Sequence, residues 1–493
     1  MSHLLTTPAR LCKVTLVICL FLPSVASASP VLVVHRSGVV ERDLPTLPSQ
    51  SATTLPRPQG TLARPSFAPT STTSGITIPS AVKQAASDGS ISGEDRSNYL
   101  TIYRATRRAY AQLSGSNKTE LGDVLATAQG VARRNQLTPS RMPALFLTLE
   151  RNRQWWSVRG APATGARVSF AGSRVVFQYY PGHGLQLQML ANFGNANGLW
   201  SAKKYDAFKD LLGDLIALKS TRSGFQTWEY YFPFGGGQPP WTSGMSQGAA
   251  LQALSRAGTT FGDDSYFEVA KSALGIYNSS TPAGVRVSQS QGAWYALYSF
   301  APRQYVLNGD LEALIGLFDF NRADPGTAAA QLLQDGDEGT RARLKRCDTG
   351  AWSLYQCPGA EADLNYQQVT TDFLKKLCSR TDAEIYCSAA DRFSDYLKTP
   401  PKITDANFKP TSAKPLKPAK VSFNLSKIST VTLRIAGPTG DTVFIHSYKL
   451  AYGYRTLGWT TPSKSGAYTW TLNAIDLAGN NTDGPVTGTI RVT

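Results

Sequence analysis

The chain has 493 residues, 42% of them hydrophobic and 17% charged, which is ordinary globular composition and excludes full disorder. Its 50 Lys and Arg against 34 Asp and Glu give a formal charge of +16, which suits a polyanionic partner but names no reaction. The four histidines are His3, His35, His183 and His446. A multi-histidine metal site is therefore excluded, and a Ser-His-Asp triad would have to use His183.

Residues 1–28 read as a secretory signal peptide. Arg10 and Lys13 supply the positive region, Val14 to Val25 an apolar run, and Ala26-Ser27-Ala28 a cleavage signature. The run is too short to span ~30 Å of hydrocarbon, and no later segment is an apolar span, so a secreted or cell-surface chain is expected. Four cysteines follow: Cys347, Cys357, Cys378 and Cys387. In an exported chain an even number points to disulfides, with Cys347–Cys357 and Cys378–Cys387 as the local pairing among the three allowed. No tight C-x-x-C pair suggests zinc.

Residues 29–80 are rich in Pro, Ser and Thr and read as a disordered linker. Helical periodicity follows over 81–400. Tyr99, Ile102, Tyr103 and Tyr110 make one face; Leu121, Val124, Leu125 and Val131 make the next. A short β insert, Arg167 to Phe170 and Arg174 to Phe177, interrupts the series. Further apolar faces run from Tyr205 to Leu397. Such faces must pack on other helices, and repeated αα-hairpins fit an (α/α) helical toroid or incomplete barrel. Residues 401–420 carry Lys402, Lys409, Lys414, Lys417 and Lys420 among prolines and read as a second linker. The period then changes to two, and 421–493 reads as a small all-β immunoglobulin-like sandwich. The fold class expected is thus mainly α, with a short β insert and a small C-terminal β-sandwich.

Polar-aromatic clusters mark where chemistry would sit. They are Trp228-Glu229-Tyr230-Tyr231, Pro240 to Gln247, Trp294 to Tyr298 with Val306-Leu307-Asn308-Gly309 behind, Asp348-Thr349-Gly350 before Tyr355, and Asn365-Tyr366-Gln367. In this order they resemble the C-terminal catalytic domain of the D-glucuronyl C5-epimerase family, most strongly over 180–400. The resemblance implies inversion at C5 of a uronate residue within an acidic polysaccharide, with tyrosines in proton transfer and no organic cofactor. By motif match the functional tyrosines are Tyr298, Tyr355 and Tyr366. Substrate-binding candidates are Trp241, Gln247, Trp294, Arg303, Asn308 and Glu229. Two departures stand out: the family's glutamate pair is Ala296 and Leu297 here, and Gln367 replaces its histidine. Glu229 is the nearest carboxylate that can substitute.

The region over 421–493 looks like immunoglobulin-like modules of bacterial surface proteins, which implies binding of a cell-surface glycan. No nucleic-acid partner and no transmembrane segment in the mature chain are expected. Two rival activities remain open: a polysaccharide lyase that starts with the same proton abstraction, and a non-catalytic glycan-binding protein that has lost the acid-base carboxylates.

Overall fold

The computed structural model describes residues 30–48 and 75–493. The expected signal peptide lies outside the described residues. The first linker does not hold over residues 30–48. Strands β1 (Pro30–His35) and β2 (Gly38–Asp43) form a hairpin there. The hairpin joins β3 (Arg167–Phe170), β4 (Phe177–Tyr180) and β5 (Gly184–Leu187) in one sheet of order β2-β1-β3-β4-β5. The prolines that signal a linker start at Pro45; before them, Val31 to Val34 and Val39-Val40 flank a turn at Gly38 and carry strand propensity. The second strand of the insert starts at Phe177, not Arg174.

Helices α1 (Ile78–Ser87), α2 (Gly93–Gln112), α3 (Gly115–Arg133) and α4 (Met142–Trp156) precede the insert. Thr77 with Ser80, and Ser92 with Asp95, close capping boxes that fix where α1 and α2 begin. After the insert, inner helices alternate with outer ones. The inner helices are α5 (Met189–Ser201), α7 (Gly244–Phe261), α10 (Leu307–Ala323) and α12 (Leu364–Thr381). The helices behind them are α6 (Tyr205–Ala217), α8 (Ser265–Ala273) with the short α9 (Gly275–Asn278), α11 (Ala329–Leu344) and α13 (Glu384–Tyr396). Each inner helix packs on the next inner helix and on its own outer partner. The sequence permits this because α7 and α10 meet through glycine: a Cβ at Gly248 or at Gly316 would collide with the backbone of the facing helix. Short ribbons β6–β7 (Ser220–Arg222, Phe225–Thr227), β8–β9 (Glu229–Tyr230, Trp241–Thr242) and β10–β11 (Arg286–Ser288, Ala293–Tyr295) connect them.

The second linker is also structured. β12 (Ile403–Lys409), β13 (Ser412–Ala413) and the start of β14 (Pro418–Leu425) fill residues 401–420. Ile403, Phe408, Ala413 and Ala419 are buried among exposed lysines, of which Lys409 and Lys420 are outward residues of β12 and β14 while Lys402, Lys414 and Lys417 sit outside the strands. β17 (Gly453–Thr460) completes a sheet of order β12-β14-β17. The facing sheet has order β13-β19-β18-β15-β16, with β15 (Ser429–Ala436), β16 (Thr442–Leu450), β18 (Gly466–Asp476) and β19 (Val486–Val492). Phe423, Leu433, Trp470 and Ile490 share the core between them.

This β unit is bonded to the helical part. Lys427, 1% exposed, donates to the Tyr396 carbonyl and to Asp476 Oδ2, each at 2.7 Å, and its Nζ lies 5.2 Å from the Trp352 ring centroid. The Glu361 carboxylate accepts the amides of Ile428 and Tyr452, each at 2.7 Å.

Candidate functional site

Three separate stretches bring the predicted tyrosines together. Tyr298 follows β11 and is pinned to β9, because Ser299 N–H donates to the Thr242 carbonyl at 3.0 Å. Tyr355 sits in a loop closed by Cys347–Cys357 and by its own amide donating to the Ala360 carbonyl at 2.9 Å. Tyr366 stands on the first turn of α12, where Asp363 caps the helix by accepting the Tyr366 amide at 2.8 Å. The Tyr355 and Tyr366 ring centroids are 5.0 Å apart. Tyr298 lies beside both and packs on Phe300, Phe234 and Trp241 at 5.3, 5.8 and 5.9 Å. The other disulfide, Cys378–Cys387, ties α12 to α13. Both disulfides follow the local pairing.

Burial sets the acidity of this cluster. Tyr298 is 1% exposed, Tyr355 is buried, and Tyr366 is the half-buried member. Desolvation pushes all three phenols well above the ordinary range, and Asp363 adds to the rise at Tyr366. They keep their protons at neutral pH. The nearby Tyr298 hydroxyl opposes part of the rise at Tyr355, although Tyr355 Oη has no partner in hydrogen-bond geometry.

A fourth tyrosine completes the cluster. Tyr180 ends β4 and couples electrostatically to Tyr298 and Tyr366. Its phenol is also raised by burial, but two groups pull it back: Gln188 Nε2 donates to its hydroxyl at 2.8 Å, and the Arg167 guanidinium lies near. Arg167 is 3% exposed, and burial lowers its own pKa to about 10. Its Nη1 donates to the Pro48 carbonyl, so the N-terminal segment helps to hold it. Pro181-Gly182-His183-Gly184 forms a tight turn, in which the His183 amide donates to the Tyr180 carbonyl at 2.9 Å. Sequence reasoning missed Tyr180 and Arg167 as members of the cluster; the only signal was the tyrosine directly before that turn.

Most of the predicted substrate-binding residues are framework instead. Glu229 is 1% exposed and fully engaged. Arg141 reaches it through Nε at 2.7 Å and Nη2 at 2.9 Å, Arg222 at 2.7 Å, Ser220 at 2.9 Å and Tyr231 at 3.2 Å. With both oxygens occupied by these donors and no exposed surface, it is no replacement for the lost glutamates. Trp241, 1% exposed, stacks on Tyr230 at 4.2 Å and donates its indole N–H to the Phe232 carbonyl. It cannot offer a face to a sugar. Gln247 bridges the backbone of Trp228 and the Thr242 hydroxyl. Trp294 is wholly buried against Tyr305. Asn308 is buried on the first turn of α10, while Arg303 is exposed in the loop after Tyr298. Gln367, in the family's histidine position, straps the Ser353 amide to the Phe393 carbonyl. Ala296 and Leu297 are core residues.

Among the described residues no three or more His, Cys, Asp or Glu side chains converge as for a metal. Among the same residues no helix is long and apolar enough to cross a membrane.

Residues 222–395 match the family described as D-glucuronyl C5-epimerase C-terminus. A D-glucuronyl C5-epimerase of Caenorhabditis elegans is 28% identical over 184 residues, covering 32% of this chain and 29% of that protein. An uncharacterized protein of Methanocaldococcus jannaschii is 25% identical over 169 residues, covering 33% of this chain and 55% of that one. The chain thus spans about half or less of these relatives. Among solved structures, the unsaturated glucuronyl hydrolase of Bacillus sp. GL1 aligns at 13% identity and a TM-score of 0.32, over 57% of this chain and 73% of that one. The cellobiose 2-epimerase of Bacillus thermoamylovorans aligns at 12% and 0.34, over 57% and 76%. At these scores nothing about the site is drawn from them.

Proposed function

With residues 222–395 assigned to the D-glucuronyl C5-epimerase family, we propose that this chain is a secreted carbohydrate epimerase acting at C5 of uronate residues in an acidic polysaccharide. The observation that carries the reading is the convergence of Tyr298, Tyr355 and Tyr366, from three separate stretches, on one water-poor cluster. Epimerisation breaks the C5–H bond, passes the proton to a base, and returns a proton from the opposite face. A phenol that keeps its proton at neutral pH has one to return in the second step. The first step needs a phenolate, and Tyr180 is the member whose ionisation a cation favours, through Arg167. Arg303, exposed in the loop after Tyr298, is suited to pair with the uronate carboxylate. The C-terminal β unit is immunoglobulin-like in this reading and contacts cell-surface glycan.

Incubation with an unsulfated glucuronate polysaccharide in D2O tests this: deuterium enters at C5 while the chain stays intact. Unsaturated chain ends would instead identify a lyase. A second reading, a glycan-binding protein without turnover, is favoured by Ala296, Leu297 and the immobilised Gln367. It predicts binding and no exchange.

A further inference from the structure

A second polar feature lies on the other face of the β8–β9 ribbon. Glu229 and Tyr230 are neighbours on β8, so their side chains point to opposite faces. Tyr230 turns toward Tyr180, and Glu229 turns toward Arg141 and Arg222. Outside this ion pair opens a cavity of about 650 Å³ lined by Arg134, Gln136, Thr138, Arg141, Thr221 and Arg222, with Pro239 and Pro240 on its rim. That volume falls within the ~300–1,000 Å³ usual for small-molecule sites.

The charges do not balance. Three guanidiniums line the cavity and no carboxylate does. Behind the wall, Glu229 answers Arg141 and Arg222 together, which leaves one of their two positive charges uncompensated. Arg134 adds another. Its Nη2 donates to the neutral Pro239 carbonyl at 2.6 Å, and burial lowers its pKa with no acid near enough to oppose this. Partial burial of unmatched cations is unfavourable unless an anion fills the space. Thr138 and Thr221 supply hydroxyl donors on the same walls.

We propose that this cavity is an oxyanion subsite, taking a sulfate or carboxylate group of an acidic glycan at a sugar remote from the reacting one. The proposal rests on the reading of the chain as acting on such a glycan. The route between the two places is short in sequence: Pro240 borders the cavity and the next residue, Trp241, packs on Tyr298.

The test is a calorimetric titration of the full chain at low ionic strength with two probes, sodium sulfate and sodium glucuronate. Wild type is compared with Arg134→Gln and Arg134→Lys. Much of the Arg134 side chain is open to solvent and its guanidinium holds one carbonyl, so both variants should fold. Binding of either probe, weakened about tenfold by Arg134→Gln and largely kept by Arg134→Lys, is the expected result. Sulfate alone would identify a sulfate ester as the recognised group, and glucuronate alone a carboxylate. Absence of saturable binding of both, or Arg134→Gln binding as tightly as wild type, would overturn the proposal. Neither readout needs turnover, so failure of isotope exchange at C5 with anion binding intact would count against the epimerase reading and not against the subsite.

Discussion

Glu229→Ala separates a structural carboxylate from a chemical one. The substitution removes the anion shared by Arg141 and Arg222, whose side chains are 6% and 13% exposed, and takes the carboxylate acceptor from the Tyr231 hydroxyl, while Ser220 keeps the Thr227 carbonyl. Breaking one partner of a buried ion pair costs about 3–5 kcal/mol, because the remaining charge stays desolvated. Two guanidiniums lose their partner here, so the upper part of that range is expected. A domain is stable by only about 5–15 kcal/mol, so much of the margin disappears. Urea unfolding followed by tryptophan fluorescence should show a lower midpoint with an unchanged slope. Glu229→Gln, which keeps the volume and one acceptor oxygen, should lose less. A Glu229→Gln protein as stable as wild type, yet unable to exchange the C5 proton, would refute the structural assignment and return Glu229 to the chemistry.

Tyr298→Phe should cut C5 exchange by about 10²–10⁴-fold while leaving the unfolding midpoint nearly unchanged, as measured by NMR and by thermal melts. Asp310 is wholly buried, and burial raises its pKa to about 7 despite hydrogen bonds from the Tyr295 amide and Thr340. The folded value exceeds the unfolded one, so its contribution is complete below about pH 4 and is lost as pH rises to about 7, by up to ~4 kcal/mol. Asp310→Asn should flatten that slope in denaturation curves taken across pH 4–7. Lys427→Met removes the cation paired with Asp476, leaving it only neutral donors, and the donor to the Tyr396 carbonyl, and should destabilise the chain by about 3 kcal/mol. Hydrogen exchange of residues 352–362 should quicken with it, since Lys427 lies over Trp352; unchanged protection there would show the β unit to be independent of the Tyr355 loop.

What could be read in the sequence was periodic or local. Runs such as Leu311 to Phe320 announce a buried helix, and the cysteine spacing suits local disulfides. The motif tyrosines Tyr298, Tyr355 and Tyr366 lie together in one cluster, each on the loop or helix start that its own motif fixes. Long-range compensation was not legible. Nothing near Glu229 in sequence shows that Arg141, 88 residues away, neutralises it. Trp241 and Trp294 read equally well as sugar platforms or core until their burial is known. The two linkers failed for a simpler reason. Proline and lysine composition averages over a segment, while β1 and β12 depend on a few apolar residues within it. Arg167 opens a predicted strand and Tyr180 precedes a turn, but neither position shows in sequence that the sheet brings the pair to the other tyrosines.

The most direct measurement is proton NMR of an unsulfated glucuronate polysaccharide incubated with the protein in D2O, alongside the Tyr298→Phe variant. The account predicts loss of the C5 proton signal, an intact chain, and exchange abolished or nearly so in the variant. Binding of the polysaccharide with the C5 signal undiminished would contradict it, and would make the tyrosine cluster a recognition surface rather than a catalytic one.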